Sequence, residues 1–281
     1  MINKLCYMVL IGSLLMIVQL AAASDDDLEP ANYAFSNYIG NGIYRASGQR
    51  VTVFNLPFDY IPPAQSELSA NDPEATSYFF RLPVSLGFYN FDFDDVIGGD
   101  IPNRADTFTF VPGIEWRVPL NERLLISPYI DLGLGNNFST GEQVMIYSTG
   151  VSSQYSWGGN NQHLWVNRLF YAAYRGLSVD INDAYGAMQS GVDYRLPLSF
   201  DSLGRRSFFT AYGLAIWNFN RLEFTVPGER AVGINKNYEA GFTYGWDQPL
   251  EYGPFQLKRI GIGYRTGDRL KVWRLSFNLP I

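Results

Sequence analysis

A reacting site needs nucleophiles, bases or metal ligands, and this sequence holds few of them. His163 is the only histidine and Cys6 the only cysteine in 281 residues. One of each excludes His/Cys metal clusters and a disulfide framework. A serine–histidine hydrolase would have to use His163 as its general base, with no second imidazole to share the work. The bland reading, a histidine at a turn beside Gln162 and Trp165, is the stronger one. Asp92, Asp94, Asp95, Asp100 and Asp106, around the run FDFDDVIGGD, approach the spacing of oxygen ligands for Ca²⁺ but lack the glutamate that closes a true EF-hand loop. Acids of this kind are commonly just solvated. No catalytic residue, metal site or cofactor is therefore assigned.

A different set of charges looks organised. Arg81, Arg117, Arg195, Arg259, Arg265 and Arg274 alternate with apolar neighbours, and so do Glu115, Asp131, Asp193, Glu239 and Asp247. Six arginines without a lysine suggest an ion-pair lattice, because guanidinium makes forked bonds to carboxylates. The same positions carry many glycines: Gly87, Gly113, Gly133, Gly135, Gly150, Gly191, Gly213, Gly241, Gly245, Gly261 and Gly263. A solvated strand face gains nothing from glycine, which weakens strands. A crowded interior needs it.

The elements that would carry these residues are strands. Charged residues are only 17% of the chain and aromatics 16%, and the net charge of −6 argues against a nucleic-acid partner. Lys4, the apolar run Leu5 to Leu20 and Ala21-Ala22-Ala23 read as a secretory signal cut between Ala23 and Ser24. Beyond it no apolar run is long enough for a membrane helix, which needs about 20 residues. Period-two alternation recurs instead. Tyr78, Phe80, Leu82, Val84, Leu86 and Phe88 oppose Arg81, Ser85 and Gly87. Phe108, Phe110, Ile114, Trp116 and Val118 oppose Thr107, Thr109, Gly113, Glu115 and Arg117.

Twelve segments result, at 33–45, 50–60, 77–89, 107–118, 124–135, 143–155, 163–174, 184–196, 206–218, 236–247, 256–266 and 270–280. The first and seventh alternate poorly, and Asn167-Arg168 suggests a bulge in the seventh. Segments of this length suit a tilted bilayer span. With large apolar residues outward and charge and glycine inward, the expectation is all-β: a closed antiparallel transmembrane barrel of about 12 strands. Tyr129, Tyr185 and Trp217 are expected to fill the remaining lumen.

The turns set the topology. Pro57, Pro119, Pro197, Pro249 and Pro280 each fall at the end of an even-numbered strand and precede an apolar residue, which places one membrane side at those ends. The C-terminus belongs to that side, taken as periplasmic, and an even strand count brings both ends of the mature chain there. The 61–76 connection is long for that side. His163 also falls there, whereas a phospholipase-like site would face the outer leaflet. A lipid-cleaving barrel is thus the disfavoured alternative. Trp273, Leu275, Phe277, Leu279 and Ile281 alternate to the end of the chain like a barrel-assembly signal, with Ile281 where phenylalanine is usual.

The blocks FRLPVSLGFYNFDFDD (80–95), EWRVPLNERLLISPYIDLG (115–133) and RIGIGYRTGDRLKVWRLSFNLPI (259–281) resemble the solitary outer-membrane autotransporter-like barrels of Gram-negative bacteria. That resemblance implies a twelve-stranded translocator-type barrel over 33–281, without a passenger. Residues 24–32 would form a short periplasmic or lumenal segment, about 14 Å long as a helix and too short to fill the lumen. The expected function is non-enzymatic, a narrow, porin-like hydrophilic pore or a structural surface element of the outer membrane. Expected partners are outer-membrane lipids, lipopolysaccharide and the barrel-assembly machinery, with no nucleic acid.

Overall fold

Alternation along the chain becomes a wall with two faces. The structure, a computed structural model, describes residues 32–46, 49–89, 105–159, 161–224, 232–252, 255–267 and 270–279. The strands are β1 (Gly42–Ala46), β2 (Gln49–Leu56), β3 (Ser77–Arg81 and Val84–Tyr89), β4 (Thr107–Phe110 and Gly113–Asn121), β5 (Leu124–Asn137) and β6 (Gln143–Trp157). They continue as β7 (His163–Gly176), β8 (Asn182–Ser202), β9 (Arg205–Phe224), β10 (Val232–Tyr252), β11 (Phe255–Gly267) and β12 (Leu270–Phe277). Each pairs antiparallel with the next, and β1 closes on β12 through Ile43 opposite Trp273. The expected all-β closed antiparallel barrel is the observed one. Closure pairs the first strand with the last and so removes the long free edges of an open sheet.

Strand β8 shows how the two faces arise. Tyr185, Ala187, Gln189 and Asp193 are buried inside, while Met188, Val192, Tyr194 and Leu196 are exposed outside. Ile130, Leu132, Leu134, Phe242, Ile260, Ile262 and Trp273 extend that apolar exterior around the barrel. Most of the glycines face inward, because an added Cβ would meet a neighbour; at Gly150 it would strike the Tyr129 ring at 2.7 Å. Gly213 is the exception. It stands on the outer face between buried Tyr212 and Leu214, with open space around it. Trp217 is likewise not a lumen filler, since buried Ile216 takes the inward position beside it.

The barrel ends differ. Asn121–Leu124 turns tightly, with Asn121 Oδ1 accepting from the N–H groups of Arg123 and Leu124 at 2.9 and 3.0 Å. Leu203 and Gly204, both at positive φ, form the two-residue hairpin between β8 and β9. Pro119, Pro197 and Pro249 lie at this turn end beside register shifts, where a missing N–H costs no ladder bond. The long 61–76 connection, also here, contains the exposed helix Pro63–Asn71. The opposite, loop end carries the connections 138–142 and 177–181.

Three strand expectations need correction. The first strand does not run over 33–45. Asn32–Phe35 is a 3₁₀ turn, Ser36–Ile39 (α1) a helical turn, and only Gly42–Ala46 is strand. The reason is that Tyr33, Ala34, Phe35, Tyr38 and Ile39 are enclosed by barrel wall on every side, so no polar face is required. Asn167-Arg168 is not a bulge, because β7 keeps register with both neighbours through it. There the inward Phe170, Ala172 and Tyr174 pack on that N-terminal segment, and outward Asn167 accepts a 2.7 Å bond from Ser190. Strands β8, β9 and β10 also run beyond the expected limits, to 21, 20 and 21 residues.

Candidate functional site

Residues 32–41 occupy the lumen and divide it into two chemically distinct zones. The segment begins toward the loop end, where the Tyr33 hydroxyl lies 3.4 Å from the Glu142 carbonyl. Phe35, fully buried, packs on Tyr174 and Tyr185 at ring-centroid distances of 5.3 and 5.6 Å. Tyr38 stacks on Phe170 at 5.7 Å. Val111, Val144, Ile146, Leu214, Ile216 and Val272 complete the apolar packing around it. The chain then reverses at Gly40 and enters β1 from inside the barrel. Residues 32–41 thus lie inside the lumen and turn back there before entering β1.

Polar bonds fix the segment along its length. Ser36 and Asn37 each reach Thr109 Oγ1 at 3.2 Å, and Asn37 Oδ1 accepts from Ser85. Asn41 Oδ1 accepts from the Asn55 N–H, while Asn55 Nδ2 donates to the Asn37 carbonyl at 3.1 Å. Gly40 has φ +86° and ψ 178°, a conformation that essentially requires glycine, and an added Cβ would collide with the Arg274 guanidinium.

The carbonyls at this reversal meet the arginines. Glu239 Oε2 accepts from Arg265 Nε at 2.9 Å and Arg274 Nη1 at 2.7 Å, and Oε1 accepts from the Tyr212 hydroxyl at 2.8 Å. Arg265 Nη1 also donates to the Ile39 carbonyl and Arg274 Nε to the Asn41 carbonyl, each at 3.2 Å. The Tyr44 hydroxyl lies 2.6 Å from the Ile39 carbonyl and 2.7 Å from that of Gly40. One buried carboxylate thus orients two guanidinium groups that hold the turn.

The other charges pair locally. Arg81 lies 3.4 Å from Asp131 and 3.7 Å from Glu115, with its guanidinium 4.1 Å above the Tyr129 ring. Arg259 pairs with Asp193, and Arg195 with Asp247, beside the Phe208 ring. Arg117 is brought instead over the Phe79 ring at 4.5 Å. Arg168, absent from the expected set, donates to the Tyr129 hydroxyl at 2.9 Å. Its neighbour in sequence, Asn167, disguised the inward position of Arg168 as an irregularity.

The remaining sequence-derived sites scatter. His163 is buried at the turn end, stacked on Tyr194 at 4.0 Å and 4.6 Å from Trp157. Its Nδ1 accepts the Arg195 N–H at 3.1 Å, and Nε2 lies 3.4 Å from the Gln162 amide. That arrangement braces a strand end. Trp273, Leu275 and Phe277 alternate outward with inward Val272, Arg274 and Ser276, and Leu279 follows; Ile281 lies outside the described residues. So do Ala23, Ser24, Cys6, Asp92, Asp94, Asp95 and Asp100. Asp106 accepts from the Ser139 hydroxyl at 3.3 Å. Among the described residues no three His, Cys, Asp or Glu side chains converge as metal ligands.

No protein-family model and no curated protein matches the chain. Among solved structures it is similar to the beta domain of the Bordetella autotransporter BrkA, at 11% identity and a TM-score of 0.41, covering 83% of this chain and 92% of that one. It is also similar to the transport unit of the autotransporter AIDA-I from Escherichia coli, at 10% identity and a TM-score of 0.26, with coverages of 90% and 100%. At these scores the likeness adds nothing to what the strand pairing itself establishes.

Proposed function

We propose that this chain is an exported, integral outer-membrane barrel with a non-enzymatic role, held shut by its own residues 32–41. Burial of Phe35 and Ala34 inside a barrel whose outer wall exposes aliphatic side chains is the observation that carries this reading. Apolar residues facing outward around a closed sheet suit a hydrocarbon solvent, because closure satisfies every backbone group without water. No helix among the described residues is long and apolar enough to cross a membrane. The turn end would face the periplasm. Lipids and lipopolysaccharide would surround the wall, and the alternating Trp273, Leu275, Phe277 and Leu279 would be offered to the barrel-assembly machinery.

The packed segment favours a structural or surface role over an open, porin-like pore. The lipid-hydrolase alternative finds no support at His163, whose two ring nitrogens face a backbone N–H and a glutamine amide. Two measurements test the proposal. The protein should fractionate with outer membranes and show heat-modifiable gel mobility; recovery as a soluble periplasmic protein would overturn it. In planar bilayers at neutral pH and moderate salt, it should be almost silent, and a steady ohmic pore would contradict the closed lumen.

A further inference from the structure

Beneath residues 37–41, toward the turn end, the lumen keeps a cavity of about 180 Å³. Its lining includes four arginines, Arg81, Arg168, Arg265 and Arg274, and among the described residues Asp59 is its one lining acid. The acids that pair with these arginines, Glu115, Asp131 and Glu239, are absent from that lining. Two features leave guanidinium donor capacity among these lining residues. Arg265 and Arg274 share the single carboxylate of Glu239, and their other bonds go to neutral carbonyls. Arg168 bonds to a tyrosine hydroxyl, and no ion pair joins it to a carboxylate among the described residues.

We propose that this cavity is a binding site for a small oxyanion of the phosphate or sulfate class. Guanidinium forks match the edges of such ions, and bonds between a cationic donor and an anionic oxygen are the stronger class of hydrogen bond. The space holds one tetrahedral ion together with a few waters, each occupying about 30 Å³. The Asn37 and Gln189 amides, which also line it, supply neutral donors that complete a shell around the anion. This inference extends beyond the closed-barrel reading and is tested without reference to conductance.

The experiment is calorimetric titration of the full chain, folded in detergent, with inorganic phosphate against chloride at matched ionic strength. Saturable binding of one phosphate, displaced by sulfate, is expected. Arg168→Gln removes a guanidinium that takes part in no ion pair among the described residues and should weaken binding about tenfold, as loss of a charge-assisted bond does, with heat-modifiable mobility retained. Asp59→Asn removes the lining carboxylate at an exposed position and should tighten binding several-fold. Absence of saturable binding would overturn the proposal. Variants that leave the affinity unchanged, or that move it in the same direction, would do so as well.

Discussion

The two zones of the lumen solve the same filling problem with opposite chemistry. Along β7, Phe170, Ala172 and Tyr174 lie toward the loop end and Arg168 toward the turn end; along β12, Leu270 and Val272 precede Arg274 in the same sense. Strand β8 repeats the order, with Tyr185 and Ala187 followed by Asp193 and Arg195. Arg265 and its cross-strand partner Glu239 are the exceptions, level with Val272 nearer the loop end, where Arg265 also reaches the Ile39 carbonyl. The apolar zone has a solid occupant, residues 33–39. The charged zone has arginines on short leashes to acids and retains open volume. Hydrophobic packing tolerates no gap, whereas guanidinium–carboxylate pairs leave space between their walls.

That contrast predicts a ranked set of responses. Glu239→Ala should have the largest effect, about 3–5 kcal/mol of stability, because it strands two buried guanidinium groups. Unfolding in denaturant from detergent micelles would measure it, and Glu239→Gln should recover part of the loss. Next, Phe35→Ala should cost about 3 kcal/mol through the cavity it opens against Tyr174 and Tyr185. Equal sensitivity of Phe35→Ala and Glu239→Ala to added salt would erase the distinction between zones, since only the charged one should respond. Gly40→Ala should cost roughly 1–3 kcal/mol from backbone strain and should raise bilayer conductance by loosening the reversal. Asp247→Asn should be the mildest, below about 1 kcal/mol, because the Arg195–Asp247 pair is partly open to solvent, with side chains 26% and 42% exposed. A large loss there would mean that the turn-end rim is sealed rather than wet.

How much of this was legible from sequence follows the same division. Strands with one wet and one greasy face announce themselves by alternation, so β3 to β6, β8 and β10 to β12 could be read. Residues 33–39 could not, because a segment enclosed by wall on all sides has no second face and no period. The signal available was that very lack of alternation, ended by Gly40-Asn41-Gly42 before a short strand. Arg168 was hidden for a related reason. Its inward neighbours on β7 are apolar because they touch the enclosed segment, and its outward neighbour Asn167 is polar because it bonds to Ser190 and Ser153. Gly213 and Trp217 were misplaced on β9 because its inward face, with Leu214 and Ile216, is as apolar as its outward one.

The central claim is that residues 33–39 sit inside the wall, and thiol accessibility at Ala34 tests it most directly. Ala34 is fully buried, and cysteine replaces alanine there with little added volume. In a Cys6→Ser background, Ala34→Cys should resist a bulky maleimide in the folded barrel and react fully once the protein is denatured. A control at Leu68, exposed on the helix Pro63–Asn71, should react in both states. Reaction of Ala34→Cys in the folded barrel as fast as that control would contradict the account.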